Sequence, residues 1–166
     1  MKKLLIACVL GLTATAHADD SVYTVDVQRV ITESIMGKAA RANVENEVKK
    51  GEAKLKSLKS DFESLEKDFQ RQSELLSGAA LEEKKTTLRR KERDLQIALE
   101  DQKEAVGRKN QAEISKVIGE IDKVIQDLGK TGSYGLIMEA DPRVVVYRRD
   151  SLDLTDKVVK MLDAKS

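Results

Sequence analysis

The sequence predicts an α+β fold, mostly α, in which one long antiparallel coiled-coil hairpin is inserted into a small β-containing body. Three observations lead there. A heptad array runs from Lys38 to Leu128, and it is broken once, at Ser77-Gly78-Ala79. Short runs rich in β-branched residues lie on either side of the array rather than within it.

In the first arm Val44, Val48, Gly51, Leu55, Leu58, Phe62, Leu65, Phe69, Gln72 and Leu76 follow at alternating spacings of four and three. That is the a/d seam of a coiled coil, with Gly51 and Gln72 as its non-apolar members. The second arm answers with Leu81, Leu88, Leu95, Leu99, Gln102 and Val106, then Ile114, Ile118, Ile121, Ile125 and Leu128. Ser77-Gly78 can end one helix and start the next, so the arms fold back on each other with the tip near 77–79. Pairing about Gly78 sets Leu88 against Phe69, Leu95 against Phe62 and Leu99 against Leu58. At ~1.5 Å per residue each arm is roughly 60–75 Å long. The same register sets Gly37 level with Gly119, and Gly51 close to the level of Gly107. Each glycine weakens a helix by about 0.8–1 kcal/mol relative to alanine, so these four are candidate hinges.

The body is assembled from the flanks, 19–37 and 129–166, with the arm spanning 38–128. Val22–Val27 reads as a first strand with Tyr23, Val25 and Val27 on one face. Asp26 is placed to cap a short helix from Val27 to Glu33. Gly129-Lys130-Thr131-Gly132 breaks the second arm, Tyr134–Glu139 is a second strand, Asp141-Pro142 a turn, and Arg143–Tyr147 a third strand. A last helix opens at Asp153-Leu154-Thr155-Asp156 and buries Leu154, Val158, Met161 and Leu162. Three strands and two short helices make a poor core alone. Strand three is apolar on both faces and demands cover on both, most economically from another subunit. The candidate oligomer interface is therefore Tyr23, Val25, Val27, Leu136, Met138, Val144 and Val146.

Residues 1–18 have the form of a cleavable signal peptide. They comprise a basic Met1-Lys2-Lys3, an apolar Leu4–Ala16 and an Ala16-His17-Ala18 cleavage site. The apolar run is too short to span a membrane. A soluble protein exported to a bacterial periplasm is expected. Cys8 and His17, the single cysteine and histidine, leave with that segment. The mature chain then has no disulfide, thiol nucleophile, imidazole or Cys/His metal site, so neither cofactor nor metal is expected. Removing Lys2 and Lys3 takes the formal net charge from +1 to about −1. That supplies no basic field for nucleic acid. Carboxylate pairs such as Glu82-Glu83 and Asp153/Asp156 suit wet helix faces and a cap better than acid–base work. With no Gly-rich phosphate loop either, the chain does not read as an enzyme, and no small-molecule substrate is expected.

The order of these elements resembles the OmpH-like family of periplasmic chaperones. The likeness is carried by Val25-Asp26-Val27, Val44-Glu45-Asn46-Glu47, the Gly132–Asp141 strand region, and Val146-Tyr147 through Asp153-Leu154-Thr155-Asp156 to Val159. It covers essentially the whole mature chain. What the resemblance implies is a homotrimer whose strands form a small β-barrel body. Three helical arms would enclose a cavity that holds unfolded outer-membrane proteins without nucleotide.

Two arm surfaces are candidates for partner contact. Phe62, Leu65 and Phe69, with Leu58 below them, face a second-arm seam that is apolar only at Leu88 and Leu95 there, so this row is incompletely covered. Lys84, Lys85, Arg89, Arg90, Lys91 and Arg93 form the densest basic run. They could meet lipopolysaccharide or anionic lipid, although local pairing with Glu82, Glu83 and Glu92 would neutralise part of the run. A holdase chaperone is the leading expectation. The alternative is a structural or adaptor coiled coil of the bacterial envelope, which should have a continuous seam.

Overall fold

A computed structural model describes residues 19–76, 78–132 and 134–165. The expected signal peptide, 1–18, and Ser77 of the tip lie outside the described residues.

The described chain is mostly helical, and its first and last elements lie in the same small body. β1 (Asp19–Val25) pairs in parallel with β2 (Tyr134–Glu139), with Val22 opposite Leu136, Tyr23 opposite Ile137 and Val25 opposite Glu139. Side chains alternate along a strand, so Tyr23, Val25 and Ile137 face inward while Val22 and Leu136 face out. Val25 is fully buried, Tyr23 and Ile137 pack against the core, and Val22 and Leu136 are exposed. Val27 is not on the strand as expected. Asp26 turns the chain, its carboxylate accepting the Arg29 backbone N–H at 2.8 Å, and α1 (Val27–Glu33) starts directly after it.

The arm is α2 (Ile35–Gln72) and α3 (Ala79–Gly132). Between them Gly78 takes a positive φ of 58°, a conformation side chains disfavour, and its carbonyl receives the Glu82 N–H at 3.3 Å. α3 does not stop at Leu128 but continues through Gly132, where a Cβ would run into the ring of Tyr134. The lower end of α3 is part of the body. Val117, Ile121, Val124 and Leu128 are buried and form the core with Val25, Val30, Ala40, Leu154, Val158 and Leu162. The expected seam there named Ile121 and Leu128 correctly, but Ile114, Ile118 and Ile125 in place of Val117 and Val124. Ile118 is 45% exposed, because at the root the helix must face α1 and α4 as well as α2, and its buried stripe turns by one residue.

The third strand is not formed. From Arg143 to Tyr147 the chain is a turn followed by irregular backbone. Asp141 holds its start. Oδ1 accepts the Arg143 N–H at 2.8 Å, the carboxylate grips the Arg143 guanidinium, and the carbonyl takes the N–H groups of Val144 and Val145 at 2.9 and 2.8 Å. A run apolar on both faces needs a ladder partner and cover on both sides, and a single chain supplies neither. β1 is the sole ladder partner of β2 among the described residues.

A short 3₁₀ turn (Asp150–Leu152) leads into α4 (Thr155–Asp163), which buries Leu154, Val158 and Leu162 and half-buries Met161. Its start ties both ends of the chain together. Asp153 Oδ1 accepts the Thr155 N–H at 2.9 Å and the Thr155 hydroxyl at 2.5 Å. The same hydroxyl oxygen accepts the Asp26 N–H at 2.9 Å, and Arg148 pairs with Asp153. Partial desolvation pushes the Asp153 carboxyl up, but the Thr155 donors and Arg148 outweigh it and hold it below the ordinary range. A depressed folded value means stability that is present above the unfolded value, ~3.9, and lost as pH falls through the folded one. Asp153→Ala is therefore expected to cost about 1–2 kcal/mol at neutral pH, as loss of a helix cap does. It should also flatten the fall in melting temperature below about pH 4. Thermal denaturation at pH 7 and pH 3, parent against variant, checks both.

Candidate functional site

Beyond the root, the arm is thinly packed. The buried residues of α2 are Gly37, Ala40 and Gly51, and those of α3 lie in its last turns, from Val117 to Leu128. Leu58, Phe62, Leu65 and Phe69 recur at heptad spacing on α2, yet each is only half-buried, as are Leu88 and Leu95 opposite. Leu99 is exposed. The distal hairpin thus carries a continuous apolar row partly in contact with water, a feature that marks binding surfaces.

The basic run divides in two. Lys84 donates to the Gln72 side chain, Lys85 pairs with Glu82 at 2.9 Å, and Arg89 reaches the same carboxylate at 3.9 Å. The Lys85 hydrogen bond is what holds the Glu82 carboxyl below its ordinary value. Arg90, Lys91 and Arg93 are exposed and enter no ion pair among the described residues. At the tip Leu75 is 85% exposed.

The four glycines fall into two kinds. Gly37 is buried, and a Cβ there would come within 1.7 Å of the Ile31 carbonyl oxygen. At Gly51 it would meet Gln102 Cδ at 1.6 Å. Close approach accounts for both glycines without a hinge. Gly107 and Gly119 have nothing within 4 Å, so the hinge reading is left to these two. Gly37→Ala should destabilise the chain by about 2 kcal/mol or more, because backbone must move. Gly107→Ala with Gly119→Ala should stabilise it by roughly 1–2 kcal/mol through helix propensity. Urea denaturation of the two variants separates the opposite signs.

In the body, the residues expected at an oligomer interface separate by position. Tyr23, Val25 and Val27 are spent on the chain's own core, and Met138 is half-buried. Leu136, Val144 and Val146 stand exposed, with Val146 92% and Tyr147 83% open to solvent. Leu136 lies on β2, which has no ladder partner besides β1 among the described residues, and Val144 and Val146 follow in the chain beyond the Asp141 turn. A cleft of about 290 Å³ runs beside that strand, lined by Ile125, Gly129, Tyr134, Leu136 and Ile137. Sequence reasoning missed the Asp153–Thr155–Asp26 knot. The Asp-x-Thr spacing at a helix start was the available signal, but its second partner is over a hundred residues away.

A small two-stranded body bearing one long two-helix arm, with apolar surface open on both, defines an arm-bearing α+β protein. The chain belongs to the OmpH-like outer membrane protein family, whose model matches residues 21–162. Among solved structures it is similar to a candidate outer membrane chaperone (OmpH-like) from Caulobacter crescentus CB15. The TM-score is 0.83 at 23% identity, over 90% of this chain and 87% of that one. A comparison with curated proteins finds no significant match. None of the described helices is long and apolar enough to cross a membrane.

Proposed function

We propose that this protein is a nucleotide-independent periplasmic holdase, a homotrimer whose arms hold unfolded outer-membrane proteins and keep them from aggregating. The half-open apolar row from Leu58 to Phe69 carries the reading, because a spacer rod would close its seam. Membership of the OmpH-like family supports it, as does the chaperone description of the Caulobacter structure. Assembly is proposed through the body. The exposed Val144–Tyr147 segment of one protomer would complete the sheet beside β2 of the next and cover Leu136, building a small barrel. Arg90, Lys91 and Arg93 are the residues left to contact lipopolysaccharide or anionic lipid.

The test is suppression of aggregation of a denatured outer-membrane β-barrel protein diluted from urea, followed by light scattering across a salt series. With the net charge near zero, apolar contact dominates, and protection should change less than about threefold between 50 and 500 mM salt. A collapse of protection at moderate salt would move the binding site to the basic run. No protection at any salt would favour an envelope spacer.

A further inference from the structure

Two seam positions that break the apolar pattern, Gly51 on α2 and Gln102 on α3, meet one another. The Gln102 side chain lies in the space that a side chain at position 51 would fill. Its Nε2 donates to the Glu47 carbonyl at 3.0 Å, across 55 residues of sequence. Glu47 lies one turn before Gly51, so the amide spans a full turn of the opposite helix. Ala98 and Ala105, one turn to either side of Gln102, line the same cleft and leave it room. Above Ala40, Gly51 is the one fully buried residue of α2 among the described residues. At this height the contact between the arm helices is therefore made by an amide and a glycine.

We infer that the Gln102–Gly51 interlock is a clamp that holds the two arm helices together at one height and in one register, and confines parting of the helices to the distal arm. The neighbouring registers are disfavoured by the same pair. Slipping by one heptad would face Gln102 with Leu58 or Val44, burying its amide against an aliphatic chain. It would face Gly51 with Leu95 or Lys109, where no side chain is shaped to fill the gap. A polar seam position thus specifies alignment where half-buried leucines, interchangeable along the rod, do not. Distal to the clamp no described seam residue is buried, whereas the root below holds Val117, Ile121, Val124 and Leu128 buried, so the helices can separate distally without losing register below.

Hydrogen exchange read by mass spectrometry tests this on the assembled protein. Gln102→Glu keeps the shape but replaces the donating amide with a carboxylate against a carbonyl. Amides in 44–58 and 95–109 should exchange about five- to tenfold faster, while those from Val117 to Leu128 keep the parent rate. Gln96→Glu, the same charge change at an exposed position of α3, should leave all of them at the parent rate. If Gln102→Glu also loosens the root, Gln102→Ala, which removes the amide without adding charge, is read on the same amides. Exchange within twofold of the parent in Gln102→Ala, or an equal rise in Gln96→Glu, overturns the clamp.

Discussion

Val146→Asp is expected to leave the chain folded and to dissociate its assembly. Within one chain Val146 is almost wholly exposed and touches none of the core, so a carboxylate there meets only water. In an assembly that covers the Val144–Tyr147 segment, the same carboxylate is buried without a partner. That penalty is several kcal/mol per protomer, enough to weaken association more than a hundredfold. Circular dichroism should be unchanged while sedimentation at micromolar concentration moves to the monomer. A variant that stays assembled would place the interface elsewhere. The contrast with Val25→Asp is informative, since Val25 is buried in the core and its replacement should unfold the chain outright.

The second large effect is on the arm. Phe62→Ser, Leu65→Ser and Phe69→Ser together remove three half-buried side chains from the distal row. Each loses about 1–1.5 kcal/mol of apolar contact with a bound chain, judged from the area still open. Summed, the loss corresponds to a drop in client affinity on the order of a thousandfold, or a hundredfold if the contacts overlap. The body core lies far from these residues, so the assembly should persist. Fluorescence titration of a labelled unfolded client, with sedimentation as the control, checks both halves. Retention of full affinity would mean that the arm row is only a packing seam.

Much of the fold was legible because its periods are strong. The 3.5-residue repeat located the hairpin, Gly78 its turn, and the helical stripe Leu154, Val158 and Leu162 the last helix. β2 matches its expected bounds, Tyr134–Glu139, because glycine and an Asp-Pro turn mark its surroundings. Besides the Asp153–Thr155–Asp26 knot, three features were not legible. The β-propensity of the run from Arg143 to Tyr147 has no expression in one chain, because a strand needs a neighbour that local sequence cannot supply. The buried stripe at the root of α3 runs through Val117 and Val124 rather than Ile118 and Ile125, since it is set by three packing partners at once. Gly51 and Gln102 were each visible as gaps in a seam, but that one fills the other depends on a register known to within a residue or two only from the structure. The incomplete cover expected of Phe62, Leu65 and Phe69 agrees with their half-burial, while their role in client binding rests on the proposal.

The most direct measurement is the mass in solution of the purified chain from Asp19 onward, by light scattering coupled to size exclusion, with and without an unfolded outer-membrane β-barrel protein. The expected result is three times the chain mass alone. With client, a soluble species is expected at that mass plus one client, without nucleotide. A chain that runs as a monomer, or that leaves the client to aggregate while unchanged in mass itself, would contradict a holdase built from an assembled body and open arms.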